Sequence, residues 1–544
     1  MITASLHLFT RKDHLMKLNY KRTILVGFAF FLISAFWQAY DTIIPKILTE
    51  RFGISQTASG FIMALDNILA LFMLPMFGVI SDKCKSKMGR RTPFILVGTI
   101  ISACLFVSLS FVDSAQLNKL DAVTDVESES VRETLYDYDY DGYLKTPDGD
   151  KFVFDAQDVK EEDKDDVTVI DKETFLGFDI YKDAEKKKAT DEYTNYIVPA
   201  RQAYVRQEIT SKDPSALIWF ISLLFLLLLA MATFRTPAVS LMPDVTPKPL
   251  RSKGNAIINL MGTLGGSLIL GIGIVLGTGK VANTFMPYWI YFVAVGVVMI
   301  GCLVAFMLTV REKKYVSDME RESAEMGISE EPESESGEKR KLSKPELISL
   351  ILILSSVVLW FFGYNAVTSK YSVYAGQVLN LDYNTTLLVA NVAALIAFIP
   401  VGIISSKIGR KKSILAGVTI LASAFFIASF MRNGTPLWIM TMLFVLAGIG
   451  WATINVNSFP MVVELAKGSD VGRYTGFYYT ASMAAQTLTP MISGLLIDYV
   501  SMTTLFPYAT VFVGGAFITM LFVKHGDSKP ENVSMLESLG GADD

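Results

Sequence analysis

Cysteine is scarce in this chain: Cys84, Cys104 and Cys302 are the only three in 544 residues. They lie in or beside apolar runs, show no metal-ligand spacing and form no disulfide framework. No GxxxxGK(S/T) loop is present, so direct ATP drive has no support. No nucleophile–base pair or metal-ligand cluster argues for an enzyme, and no cofactor or metal is implied. Charge is thin as well, at 19% of residues. Its basic clusters are short and flank apolar runs, which excludes nucleic acid as a partner. The first basic stretch runs into an apolar segment of spanning length without a small-residue cleavage site, unlike a cleavable signal peptide.

Apolar sequence is what the chain has in quantity: 51% of residues are hydrophobic, with a mean hydropathy of +0.40. A membrane span needs about 20 apolar residues. On that rule twelve spans are expected, roughly 23–44, 57–80, 92–112, 215–240, 255–278, 284–310, 346–368, 385–405, 412–431, 436–461, 473–496 and 502–523. The seventh is the least clean, because Gly363, Tyr364 and Asn365 interrupt it. The expected fold is an all-α membrane protein with two pseudo-symmetric six-helix halves, at 23–112 with 214–310 and at 346–523.

Lysine and arginine set the orientation. Arg11, Lys12, Lys17, Lys21 and Arg22 precede span one. Lys83, Lys85, Lys87, Arg90 and Arg91 follow span two, and Lys407, Arg410, Lys411 and Lys412 follow span eight. With alternating spans all three groups fall on one side, the cytoplasmic one. Residues 1–22, the linker 311–345 and the tail 524–544 are then cytoplasmic. The linker stretch EEPESESGEKRK has a solvated composition. Residues 113–213 form an acidic insert on the opposite side. Its KFVF, DVTVI and FDIY segments read as short strands. DYDYDGYLKTPD (137–148) has calcium-loop spacing at Asp137, Asp139 and Asp141, but Asp148 stands where a bidentate glutamate is usual. An acidic turn with a hairpin at PDGD is the simpler reading.

One short basic loop occurs twice: GVISDKCKSKMGRR at 78–91 and GIISSKIGRK at 402–411. Each joins the second and third spans of its half. The first copy keeps Asp82 where the second has Ser406. A second repeat pairs PDVTPKPLRSKG (243–254) with VELAKGSDVGRYTG (463–476). Each has an acid at the helix exit (Asp244, Glu464), then an arginine (Arg251, Arg473), then a glycine three residues on. Two readings stand. Asp82, Asp244 and Glu464 bind Arg90, Arg91 and Arg410 to shut a cytoplasmic gate, or these groups are topology signals and helix caps. Two similar halves with cationic hairpins point to a transporter that rocks about a central site.

These hairpins resemble the signature loop of the major facilitator superfamily. SDKCKSKMGRRTPF, with FRTPAVSLMPD and RSKGNAIINLMGTLGG (234–266), is similar to its sucrose-carrier and glycoside–cation symporter branch. The resemblance implies a multi-pass cell-membrane transporter, a small-molecule sugar or glycoside as substrate, a coupling cation with protons favoured over sodium, and a monomer in the lipid bilayer. The few cysteines fit a bacterial inner membrane. A proton-driven exporter of amphipathic compounds and a non-transporting membrane sensor are the alternatives.

Ionisable groups inside spans are costly and mark function. Asp41, Asp66 and Arg235 stand out. By helical rise, Asp66 lies ~24 Å above Asp82, and Arg235 ~13 Å above Asp244. They form the expected proton-coupling set, because a carboxyl beside a guanidinium stays ionised and one separated from it takes a proton. The second half offers neutral groups instead: Tyr364, Asn365, Asn391, Asn455 and Gln486. With Trp37, Gln38 and Asn259 these suit a polyhydroxylated ligand, since amides bridge hydroxyls and rings cover sugar faces. Interhelical hydrogen bonding is the competing use of each amide.

Overall fold

In the computed structural model the described residues are 18–183, 188–325, 343–465 and 471–526. Arg11, Lys12 and Lys17, the acidic linker stretch and the end of the tail lie outside them, as does the Ser406 side chain. Twelve long helices make up the transmembrane bundle. The first half holds α1 (Tyr20–Lys46), α2 (Gln56–Asp82), α3 (Thr92–Lys119), α4 (Ser215–Asp244), α5 (Arg251–Leu276) and α6 (Trp289–Thr309). The second holds α7 (Lys344–Gln377), α8 (Tyr383–Ile408), α9 (Arg410–Ala428), α10 (Leu437–Glu464), α11 (Val471–Tyr499) and α12 (Leu505–Leu521).

Among the described residues, eleven helices are long and apolar enough to cross a membrane. The remaining one, α11, carries Tyr474, Tyr478, Ser482, Gln486 and Thr489, and packs between α2 and α7. The outward surface is apolar: Phe72 is 68% exposed, Leu308 77% and Val511 71%. Such faces belong against lipid, where helices satisfy their own backbone.

The two halves repeat one packing scheme. In the first, α1 packs on α5 and α6, α3 on α4 and α6, and α2 on α4. In the second, α7 packs on α11 and α12, α9 on α10 and α12, and α8 on α10. Each half has its own buried core, one around Phe36, Phe106 and Phe292, the other around Trp360, Tyr371 and Phe506. The halves meet through α2 with α11, α5 with α8, and α1 with α7. Gly60 is needed at the first contact, because a Cβ there would sit 2.0 Å from the Pro490 carbonyl oxygen.

Two helices differ from the expected spans for visible reasons. α7 runs unbroken through Gly363, Tyr364 and Asn365. Gly363 lies against Ala509 and Val513, where a Cβ would meet atoms at 2.5–2.7 Å, so the glycine serves packing and not a break. α3 continues past 112 to Lys119. Its extra turns hold the buried Arg51: Asp113 Oδ1 accepts from Nη1 at 2.6 Å, and Gln116 Nε2 donates to the Arg51 carbonyl at 2.9 Å.

The insert between α3 and α4 lies at the end opposite the hairpins. It has a core of its own, including Leu135, Phe152, Phe175 and Ile197. Strands β1 (Leu144–Lys145), β2 (Lys151–Val153) and β3 (Val167–Val169) form one sheet, with β1 antiparallel and β3 parallel to β2. β4 (Tyr181–Asp183) and β5 (Lys188–Ala189) form a second antiparallel pair. The β1–β2 turn closes with Thr146 donating to Asp150 and Gly149 to Thr146. Asp137 binds Lys172 and Asp148 binds Arg432, so the calcium-loop carboxylates are drawn apart. The described residues contain no group of three or more metal-ligating side chains.

Candidate functional site

A cavity of about 180 Å³ lies between the halves. α1 supplies Trp37 and Asp41, α2 supplies Met63, Asp66 and Asn67, and α4 supplies Arg235. Across from them α7 gives Asn365, Thr368 and Ser369, and α11 gives Gln486 and Pro490. The Arg235 guanidinium lies 5.2 Å from the Trp37 ring centre, a cation–π distance. It lies within electrostatic reach of both carboxylates, Asp41 and Asp66. Asn67 Nδ2 donates to Asp66 Oδ1 at 2.9 Å. On the facing wall the Asn365 Nδ2 is buried without a protein acceptor. One wall is therefore charged and the other is neutral and hydrogen-bonding.

Six residues singled out from the sequence share this cavity: Trp37, Asp41, Asp66, Arg235, Asn365 and Gln486. Gln38 and Asn391 meet across the halves, with Asn391 Nδ2 donating to Gln38 Oε1 at 3.3 Å. Tyr364, Asn259 and Asn455 do not line it. Tyr364 stacks on Trp451 with parallel rings 3.6 Å apart, and Asn259 is buried in α5. Thr368 and Ser369 escaped the sequence reading because their hydroxyls also bond their own helix, to the carbonyls of Asn365 and Ala366.

On the hairpin face the expected acid–arginine pairs form. Arg91 is buried; it binds Asp82, and its Nε donates to Asp244 Oδ2 at 2.9 Å. Arg90 reaches the other Asp244 oxygen at 2.7 Å. Arg410 pairs with Glu464, and Lys411 Nζ donates to the carbonyls of Leu521 and Val523 at 2.8 and 2.6 Å. Arg251 Nε donates to the Thr246 carbonyl at 3.2 Å, and Arg473 lies over Phe477 at 5.4 Å. The Arg90, Arg91 and Arg410 pairs each stay within one half. They tie α2, α3 and α4, or α9 and α10, to one another and do not bridge the halves.

The linker adds a part that its composition concealed. Its first segment is a helix, Glu312–Glu325. Glu312 is 2% exposed and accepts from the backbone N–H of Arg90, Arg91 and Thr92 at 2.7–3.1 Å, an anion on the start of α3. Gly89 (φ +123°) makes room, since a Cβ there would strike the Glu312 carboxylate. Glu322 clamps Arg22 with two bonds of 3.1 and 2.7 Å.

Further hydrogen bonds that bridge the halves sit on the insert face. Asp498, at the end of α11, caps α2 of the other half. Its carboxylate accepts from Gln56 N at 2.9 Å, Thr57 N at 2.7 Å and the Thr57 hydroxyl at 2.6 Å. Lys370 of α7 is 1% exposed and donates to the Gln56 carbonyl at 2.7 Å. The insert reaches both halves above them. Lys119 binds Asp213 at 2.5 Å on the first half. On the second, Arg432 meets Asp148 at 3.1 Å, Asn433 meets Asp191 at 2.6 Å, and Met502 N donates to the Pro147 carbonyl at 2.9 Å.

The Major Facilitator Superfamily model matches residues 209–399 and 385–538, and the model described as MFS/sugar transport protein matches 25–117. The chain is similar to Sucrose transport protein SUC3 of Arabidopsis thaliana, 42% identical over 62 residues, which is 11% of this chain and 10% of that protein. Sucrose transport protein SUT4 of Oryza sativa subsp. japonica is 42% identical over 60 residues, again 11% and 10%. The chain thus spans about 10% of the length of the curated relatives it matches. The inward open conformation of the xylose transporter XylE from E. coli superposes with a TM-score of 0.52 at 13% identity, covering 95% of this chain and 98% of that one. A bacterial homologue of the iron transporter ferroportin, inward-facing, gives 0.55 at 12% identity over 93% and 99%. At such identities the likeness shows the fold alone.

Proposed function

The chain belongs to the major facilitator superfamily, and from that premise we propose that it imports a sugar or glycoside with a proton by alternating access. It is a multi-pass membrane transporter and not an enzyme. The observation that carries the finer reading is the two-faced cavity. Asp41, Asp66 and Arg235 face Asn365, Thr368, Ser369 and Gln486 across it.

The neutral wall suits hydroxyl groups, because amides and hydroxyls both donate and accept. Trp37 offers a ring for an apolar sugar face. The charged wall suits the proton. Arg235 can neutralise a carboxylate it faces, and a carboxylate it leaves is the one to protonate. A rocking motion that shifts α4 against α1 and α2 therefore changes which group holds the proton. The partial likeness to sucrose transport proteins supports the substrate class. Those relatives are plant proteins, which lends nothing to the bacterial setting expected from the cysteines. One chain encloses the whole cavity, which supports a monomer as the working unit.

The positive-inside rule supports a cytoplasmic hairpin face and an external insert. The Asp498 and Lys370 contacts then form the external seal, and both termini are cytoplasmic. The hairpin clusters keep each half stiff while it rocks. Uptake of labelled sucrose and a glycoside panel into proteoliposomes, with and without an acid-outside gradient, tests this reading. Accumulation that a protonophore abolishes is the expected result. Uptake indifferent to the gradient sinks proton coupling, and uptake of none of the sugars sinks the substrate class.

A further inference from the structure

Under the insert lies a second cavity, of about 330 Å³, larger than the central one. Three separate parts of the chain wall it. Gln56 comes from the start of α2, Tyr143, Gln202 and Arg206 from the insert, and Gln377 and Asp498 from the second half. It rests directly on the external seal, since Gln56 also takes the Lys370 and Asp498 bonds.

Two amides in this wall have hydrogens to give. Gln377 is 8% exposed, yet its Nε2 has no acceptor. The Gln202 Nε2 is likewise buried and unpartnered. Both amides also line a smaller adjoining cavity with Glu50 and Arg201, so the polar region continues beyond the first space. Buried amide donors in native proteins find a partner in protein, water or ligand. The Asp498 carboxylate is already taken by the start of α2, and the Tyr143 hydroxyl by Asp163 at 3.0 Å. Lys145 Nζ is likewise taken, donating to the carbonyls of Asp498 and Tyr499 at 3.2 Å, which leaves amide donors, a tyrosine ring, the Thr49, Ser55 and Thr194 side chains and the exposed Arg206 guanidinium. That set matches hydroxyls better than an anion or a metal.

We infer that this cavity is an external binding site for a neutral polyhydroxylated solute, a sugar or glycoside, held between the insert and the seal before it reaches the central cavity. The inference rests on the reading of the chain as a sugar importer with its insert outside. A solute seated there touches both halves and the insert together, so it binds only while all three are in register.

The test is the number of sugar sites on the full chain in lipid nanodiscs, by equilibrium dialysis with labelled sucrose, maltose and methyl glucoside. Two sites per chain are expected. Gln202→Leu with Gln377→Leu should leave one, and so should Asn365→Ala with Gln486→Ala, each pair removing a different site. Arg206→Ala, an exposed change that spares the fold, should weaken the external site about tenfold, near the upper end for one lost hydrogen bond. A single site, lost with Asn365 and Gln486 and unmoved by Gln202, Gln377 and Arg206, overturns the inference and leaves sugar import standing. Binding of none of the three sugars overturns both.

Discussion

The first half of the transporter puts its charge in two places, the cavity wall at Asp41, Asp66 and Arg235 and the hairpin at Asp82, Arg90, Arg91 and Asp244. The second half shares the helix packing but keeps a neutral cavity wall, and on its hairpin Arg410 pairs with Glu464 while Lys411 donates to carbonyls. Its own buried charge, Lys370, sits higher, at the seal on the insert side. Duplication fixed the scaffold and left the placement of charge free. Under the proposed function, the first half's wall would hold the proton, and the second half would hold sugar hydroxyls and the seal on the insert side.

The sharpest way to break this contrast is to neutralise the charged wall. Arg235→Gln should lower uphill sugar uptake by about 100-fold or more, because removing one partner of a desolvated charge set costs about 3–5 kcal/mol. Asp41→Asn and Asp66→Asn should separate the roles: the coupling acid is the one whose loss abolishes accumulation and spares sugar exchange. Normal accumulation by both variants would end the idea of a charged half.

The hairpins offer the next largest difference. Asp244→Asn removes a carboxylate shared by two arginines, one of them buried, and should destabilise by about 3 kcal/mol. Glu464→Gln breaks the Arg410 pair, whose carboxylate is more exposed than that of Asp244, and should cost about 1 kcal/mol. Melting of the two variants in detergent checks the order, and equal losses would mean the hairpins are equivalent. Lys370→Met should loosen the seal. A Ser369→Cys reporter in the cavity should then label several-fold faster from the insert side than in the Lys370 background.

Smaller effects are expected at the neutral wall. Asn365→Ala or Gln486→Ala should raise the sugar KM about three- to tenfold with coupling intact, as a lost hydrogen bond predicts. A collapse of coupling would erase the division between halves. The least change belongs to the insert, which falls in neither half. Its Asp213 carboxyl is held down at about 2 by the Lys119 hydrogen bond. Its contribution is therefore complete above the usual carboxylate range and fades as pH falls from about 4 to about 2. Hydrogen exchange at the junction of the insert with α3 and α4 should accelerate over that window and not at neutral pH.

Much of the cavity lining that makes up the candidate site was legible because charge inside a span is expensive and so carries information. Asp41, Asp66 and Arg235 announced themselves, and Trp37, Asn365 and Gln486 followed from the chemistry of sugars. Lys370 and Asp498 did not, because the hydropathy limits of spans seven and eleven fell at 368 and 496. Both helices run on past those limits, to Gln377 and Tyr499, and so carry the two residues into the seal. Glu312 and Glu322 hid in a linker whose composition reads as solvated. Thr368 and Ser369 hid because hydroxyls that bond their own helix leave no periodic trace. Hydropathy reports where a helix meets lipid. It says little about the ends, where one helix caps another.

The insert is spliced into the first half, yet it holds the second half through Arg432 with Asp148, Asn433 with Asp191 and the Pro147 carbonyl. If the halves rock, the insert must travel with α3 and α4 and let go of the other side once per cycle. The Arg432–Asp148 pair is 43% and 45% exposed, so water replaces it at a cost of about 0–1 kcal/mol. That pair therefore behaves less like a bolt than like a magnetic catch, firm enough to return to and weak enough to release.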